Sequence, residues 1–352
     1  MNQRPYTVIL IIPTGIGAAI GGYAGDAMPV ARAITSVADR LITHPNVLNG
    51  AQLYWSLPNV FYVEGYGLDQ FATGCWGLRP VHQNRIGLIL DQSIEPDLQL
   101  RQLQAAEATR ATLGLNLLDY VVTDASIDVE LRTSNSGTSW GTIQNTGTLL
   151  RAAETLISKA RVDAIAVVAR FPDDMDSPAL QQYRHGQGVD PLAGAEAVIS
   201  HLIVREFQVP CAHAPALLPL PLDPDISPRS AAEEIGYTFL PSVLVGLSRA
   251  PQFVTKYELS ANDLWVNQVD AVVIPATACG GSAVLSLSQS SIQIITVQEN
   301  QTQLYVPPEP LGLKTIQVNS YLEAIGVLAT HKAGITPTAL SSVISSMHYL
   351  AT

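Results

Sequence analysis

The sequence predicts an α/β protein built on largely parallel sheets flanked by helices, and it is long enough for two related α/β lobes. Three observations carry this. Short apolar runs alternate with amphipathic stretches almost from end to end, the pattern of βαβ units. The chain is 352 residues long, with 47% apolar residues, enough to bury a sizeable core. It shows no heptad or collagen-like repeat, and no run approaches 18 uninterrupted apolar residues, so fibrous and membrane-spanning classes are excluded.

The elements follow in order. Residues 6–12 (YTVILII) form a β-rich run that ends in a glycine loop. Asp26 is placed to cap a helix in which Val30, Ile34, Val37 and Leu41 recur at helical spacing. Further strands are expected at 60–63, 85–90, 118–123, 162–169, 270–275 and 291–297. Helices are expected over 98–113, 148–160, 192–207, 320–332 and 337–349. The polar tract 133–147 (TSNSGTSWGTIQNTG) reads as a linker and divides the chain into lobes 1–140 and 141–352, with one large domain as the alternative. Prolines 215, 219, 221, 224 and 228 keep that segment a loop until Arg229. The runs VDAIAV (162–167) and VDAVVI (269–274) echo one another. Similar helix-to-strand chemistry explains the match more simply than duplication.

Charge is sparse. Only 14% of residues are charged and the formal net charge is -11, against about 25% charged residues in an ordinary soluble domain. An acidic chain repels a phosphate backbone, so nucleic acid is not an expected partner. There are four lysines (Lys159, Lys256, Lys314 and Lys332) against fifteen arginines, so an anion clamp would use guanidinium forks. Three widely spaced cysteines, Cys75, Cys211 and Cys279, form no CxxC pair, which suits a reducing compartment. The apolar start resembles a short signal peptide, but Pro13 and its glycines break the run. A cytoplasmic protein without a membrane partner is therefore expected. Helices such as 192–202 carry almost no charge, although helices on the outside of a sheet normally do; this predicts a homo-oligomer.

In an open parallel sheet, ligands bind outside the carboxyl ends of the strands, which makes three loops the candidates. The first holds Gly15, Gly17, Gly21, Gly22 and Gly25, whose N–H groups could cradle an anion or simply build a structural loop. Ile20 stands where a dinucleotide fingerprint needs glycine. The second is 276–282, with Cys279, Gly280, Gly281 and Ser282 before a short helix. A helix N-terminus would favour a thiolate there, although an inert small cysteine fits equally. Glu299 follows the next strand, in position to accept hydrogen bonds from ligand hydroxyls. The third loop, 170–191, holds Asp173, Asp174 and Asp176, able to hold Mg²⁺ or supply a general base or else a solvated surface cluster. It also holds Arg184 and His185, suited to an anionic group, and Asp190 before Pro191, which reads as a helix cap. His213 is a candidate general base beside the reading of a core or surface histidine. No metal-ligand spacing, GxSxG elbow or P-loop occurs, and no cofactor is identified.

The segments FPDD (171–174), GQGVDP (186–191), ACGGSAVLS (278–286), ITVQEN (295–300) and SYLEAIG (320–326) together resemble an uncharacterised family of cyanobacteria and plastid-bearing eukaryotes, described as a domain of unknown function. The resemblance covers most of the chain. It implies a single-family protein of the cyanobacterial cytosol or plastid stroma, and it supplies no reaction and no catalytic residue. The functional expectation is an enzyme acting on a small anionic or nucleotide-like metabolite where the first and second loops meet. Arg184 and Glu299 would bind the ligand, and Cys279, Asp174 or His213 would do the chemistry. The rival is a non-catalytic oligomeric ligand-binding or scaffold protein.

Overall fold

The computed structural model describes residues 4–172, 177–235, 239–257, 260–344 and 346–349. The strands are β1 (Thr7–Leu10), β2 (Arg40–Thr43), β3 (Val60–Tyr62), β4 (Gly77–Arg79), β5 (Ile86–Leu90), β6 (Leu117–Val122), β7 (Val129–Thr133), β8 (Ser139–Ile143), β9 (Ala164–Arg170), β10 (Cys211–Ala216), β11 (Gln252–Val254), β12 (Ala271–Pro275), β13 (Gln293–Val297) and β14 (Ile316–Val318). The helices are α1 (Met28–Thr35), α2 (Pro45–Leu48), α3 (Gly65–Ala72), α4 (Pro96–Leu113), α5 (Thr146–Thr155), α6 (Pro178–Arg184), α7 (Ala193–Phe207), α8 (Pro228–Ile235), α9 (Leu240–Ser248), α10 (Ser282–Leu287) and α11 (Tyr321–Lys332).

Six strands, in the order β14-β13-β12-β1-β2-β3, form one sheet in which every pairing is parallel. Four more, β10-β9-β5-β6, form a second parallel sheet. Short antiparallel ribbons, β7–β8 and β4–β11, complete the framework. The α/β class with parallel sheets flanked by helices is therefore as the sequence predicts. The expected boundary near residue 140 falls inside β8, and both sheets take strands from either side of it, so it separates neither.

Strands covered on both faces read as continuous apolar runs, and Val8, Ile9 and Leu10 of β1 are wholly buried. Each such side chain contributes about 1.5–3 kcal/mol by leaving water. Alternate residues face opposite sides. Val8, Leu10, Val273 and Ile295 join Leu88 and Ala166 in one core, while Ile9, Val272 and Ile294 join Ile89 and Val167 in another. Both cores run through both sheets.

The VDA echo has a structural counterpart. Asp163, just before β9, accepts the backbone N–H of Arg85 (3.2 Å) and both arms of its guanidinium (2.7 Å each), at the start of neighbouring β5. Asp270, just before β12, accepts the N–H of Thr7 (2.8 Å) and the guanidinium of Arg4, at the start of neighbouring β1. Each aspartate pins the leading end of the adjacent strand.

Four expectations are corrected. Helix α1 ends at Thr35, and Leu41, which shares its spacing, lies in β2. Asp26 does not cap that helix; it pairs with Arg229 at 2.9 Å. The polar tract 133–147 is no linker, because β7 and β8 form a hairpin across it that covers α7. Glycine is required at that crossing: a Cβ on Gly194 would lie 2.3 Å from Trp140 Cα, and one on Gly141 would lie 2.4 Å from the Ala195 Cβ. This hairpin also explains why α7 is nearly neutral: Ala195, Ile199, Ser200, Ile203 and Val204 are buried inside the molecule. Finally, among the described residues of 337–349 the one helical element is a 3₁₀ turn, Pro337–Leu340, and Val343, Ile344, Met347 and Tyr349 are exposed.

Candidate functional site

A cavity of about 870 Å³ lies where the carboxyl ends of both sheets converge. The chain leaving β1 supplies Ile11, Pro13 and Thr14, that leaving β2 supplies His44, and that leaving β3 supplies Glu64. Ala278, Gly281 and Ser282 follow β12, and β10 carries His213 and Pro215 before running into the proline-rich loop, whose Leu217, Leu218, Leu220 and Leu222 form an apolar wall. The volume falls in the range of about 300–1,000 Å³ typical of small-molecule sites.

The polar wall is built mainly by α7, α8 and β10. Glu196 and Ser200, one helical turn apart on α7, line the cavity with His201. His213 Nδ1 lies 3.1 Å from Ser200 Oγ, and its Nε2 lies 3.8 Å from Glu196 Oε2. Burial pushes His213 down to about 4 and pushes Glu196 well above the usual carboxylate range, with Asp190 and Glu233 adding to the rise. Both shifts favour the neutral forms, so burial works against an ion pair between them.

Glu233 of α8 accepts a hydrogen bond from Tyr183 Oη at 2.6 Å and from Ala24 N at 3.2 Å. Burial, and then the charge of Asp190, push it up to about 8. Tyr183 in turn stacks on Tyr23, with ring centroids 4.4 Å apart. Asp190 accepts the Leu192 N–H at 2.8 Å at the entrance to α7, and burial raises it to about 6. Across the cavity, Glu64 uses one carboxylate oxygen to cap α3 at Tyr66 N and Gly67 N, and the other lies 2.8 Å from His201 Nδ1. Burial pulls His201 down, but its bond to Glu64 and the charge of Glu64 outweigh that, so its pKa is raised. His44 is neutral: burial takes it to about 4, and its Nε2 accepts the N–H of Ile12 at 3.0 Å. His201 biased upward, His44 and His213 biased downward, and three carboxyls, Asp190, Glu196 and Glu233, whose pKa burial raises therefore share one chamber, an arrangement suited to moving protons.

Among the residues singled out from sequence, His213, Arg184, Gly281 and Ser282 line this cavity, while Asp174 lies outside the described residues. The others serve different ends. Cys279 is fully buried, with its Sγ directed at the carbonyls of Ala276 and Pro275, and burial raises its thiol to about 11, opposite to the thiolate expected. Gly280 packs against Val306. Glu299 is exposed and accepts the N–H of Tyr321 at the start of α11, so it caps a helix.

The glycine loop likewise turns its groups inward. Ala19 N donates to Gln301 O, Ile20 N to Asn300 Oδ1, and the carbonyl of Gly15 accepts Ser139 N, while Gly17 approaches Gln303 and Val189. Gly21 takes a positive φ against Ile12, and Gly22 lies against the carbonyl of Ala18. Arg184 is buried and already engaged. Its Nε lies 2.7 Å from Glu234, its Nη2 lies 2.7 Å from Pro221 O, and its Nη1 lies 3.9 Å from Asp223.

Sequence reasoning missed Glu196, Glu233 and Glu64 as site residues, read His201, on the helix after Asp190, as a core or surface histidine, and took Asp190 only as a cap. The available signal was a carboxylate on an otherwise apolar helix, as at Glu196 within 193–204.

Comparison with known proteins gives a family and no activity. The family described as "protein of unknown function (DUF3326)" matches residues 7–341. A protein of Synechococcus sp. named an uncharacterized lipoprotein is 60% identical over 350 residues, covering 99% of this chain and 97% of that protein. No solved structure matches the chain. The expectation of a cytoplasmic protein is corrected by this relative, whose name points to a membrane-anchored protein. Among the described residues no helix is long and apolar enough to cross a membrane. On a match spanning nearly its whole length and a relative of 60% identity, the chain belongs to the DUF3326 family, the uncharacterised cyanobacterial family that its motifs resemble.

Proposed function

We propose that the cavity is the active site of an enzyme performing acid–base chemistry on a small molecule with an apolar body. The observation that carries this is the placement of Glu196, whose surroundings favour its protonated form, 3.8 Å from His213, which burial biases toward the neutral imidazole, on the wall of a ligand-sized cavity. A carboxyl able to give a proton beside an imidazole able to take one supplies both halves of a general acid–base step. Glu233 and Tyr183 form a second proton-bearing pair on the same wall. The position outside the carboxyl ends of two parallel sheets is where α/β proteins place their ligands, and the leucines of the proline-rich loop would hold the apolar body.

The test begins with native mass spectrometry of the chain and of Ala197→Trp, a cavity-filling variant. A small molecule retained by the first and lost from the second is the expected result. That molecule, incubated in D₂O, should exchange hydrogen with wild-type protein and at least a hundredfold more slowly with Glu196→Gln or His213→Asn. Exchange unaffected by both substitutions would refute the reading.

A further inference from the structure

We propose that the ligand's polar end is an organic cation, an ammonium or guanidinium group seated against Asp190, Glu196 and Glu233, with its apolar body along the proline-rich loop. The inference rests on the cavity being the ligand site and adds the sign of the ligand's charge.

The cavity wall carries seven acidic side chains, Glu64, Asp69, Asp190, Glu196, Asp223, Glu233 and Glu234, against two arginines, Arg132 and Arg184. Neither arginine is available to an anion. Arg184 is held by Glu234 at 2.7 Å, and Arg132 lies 2.9 Å from Glu130 with its guanidinium over the Trp140 ring. The acidic groups are not used up in the same way. Glu64 is matched by His201, and Asp223 by His185. Asp190 receives the Leu192 N–H and Glu233 receives Tyr183 Oη and Ala24 N, so each meets only neutral donors. Glu196 receives no hydrogen bond from any described residue, although its side chain is only 16% exposed. A carboxyl largely withdrawn from water and left without a donor is a costly arrangement, and a cationic head group placed there would supply both the donor and the countercharge.

The groups facing this cluster agree. Asp26 adds a further acidic group beside Glu233, and its own partner, Arg229, is engaged with it at 2.9 Å. Tyr23 and Tyr183 are neutral, and His213 is the remaining titratable neighbour of Glu196. An anion entering here would face carboxyls with no free cation among the described residues of the wall. A cation would instead favour their ionised form, so binding would release protons at neutral pH.

Isothermal titration at pH 7 with three probes of matched body, octylammonium, octanoate and 1-octanol, tests the sign directly. Octylammonium should bind at least tenfold more tightly than either of the others. Its heat should change between phosphate and Tris buffers in the direction of proton release. Glu196→Gln should weaken octylammonium at least tenfold while leaving 1-octanol within about twofold, and Ala197→Trp, or Leu180→Trp if the first does not fold, should abolish binding. Tighter binding of octanoate or 1-octanol, still abolished by the filling variants, would overturn the cation while leaving the cavity reading intact. Absence of binding by all three, or octylammonium binding that survives both filling variants as adsorption to an acidic surface, would overturn both.

Discussion

Replacing Glu233 by glutamine exposes the energetics of the carboxyl cluster. In the folded protein this carboxyl titrates near 8, whereas the ordinary value is 4.5. Between those values the folded state holds a proton that the unfolded chain has released, so stability is full below about pH 4.5 and is lost as pH rises, by about 1.4 kcal/mol per unit. At pH 7 the accumulated cost approaches about 3 kcal/mol, and cavity water that screens the carboxyl reduces it toward about 1 kcal/mol. A glutamine Oε1 can accept both hydrogen bonds that Glu233 Oε2 now receives, from Tyr183 Oη and Ala24 N, and the amide does not titrate. Glu233→Gln should therefore be about 1–3 kcal/mol more stable than wild type at pH 8 and no more stable at pH 4.5. Urea unfolding followed by circular dichroism at pH 4.5, 6, 7 and 8 measures this. A difference independent of pH, or one favouring wild type increasingly as pH rises, would show that Glu233 is not held protonated and would remove one proton donor from the proposed site.

Further outcomes follow from the same structure. Asn300, fully buried, clamps the glycine loop through Ile20 N and O and also reaches Tyr321 Oη, at 2.7–2.9 Å. Asn300→Ala should cost about 2–4 kcal/mol and lower the calorimetric Tm, and an unchanged Tm would show the loop needs no clamp. At pH 8 a thiol reagent such as Ellman's should titrate Cys75 alone in the folded protein, with Cys211 and Cys279 reacting only after unfolding; rapid reaction of Cys279 would reinstate it as a nucleophile. Removing the buried Arg184 as Arg184→Met should cost about 3–5 kcal/mol, because Glu234 loses its partner, and a mild effect in chemical denaturation would show that the pair is replaceable. Self-association, expected from the sparse charge, now has a specific surface: edge strand β6 exposes Leu118, Tyr120 and Val122. Sedimentation should show an oligomer at micromolar concentration that Tyr120→Lys weakens, and a monomer would overturn the expectation.

The sequence discloses the architecture better than the chamber, for a physical reason. Strands buried on both faces, such as β1 and β9, write themselves as unbroken apolar runs, and their carboxyl ends locate the ligand region in advance. The residues of the chamber carry no such local mark. Glu64, Glu196 and Glu233 stand far apart along the chain, and apart from Glu196, set in an otherwise apolar helix, each alone looks like an ordinary surface carboxylate. What makes them special is their company, which only the packing of α7 beneath the β7–β8 hairpin and of α8 against the glycine loop creates. The same ambiguity misled the reading of the glycine loop: glycines that let backbone approach a ligand also let backbone approach backbone, and here Asn300 and Gln301 take the places an anion would have filled. The neutrality of 192–202, read as a contact between subunits, is a contact within one.

The interleaving of the two sheets has a consequence for how the protein is made. Strand β1 sits between β2 and β12, and Val8 pairs with Ala271, 263 residues later. At about 5–20 residues per second, a ribosome delivers the second partner roughly 13–53 seconds after the first strand emerges. Throughout that interval a largely apolar strand presents one open edge, the feature most prone to pair with a stranger. The four-stranded sheet, encoded entirely within the gap, can be completed first. The nascent chain is thus expected to be a chaperone client until β12 arrives and the larger sheet closes around its own beginning.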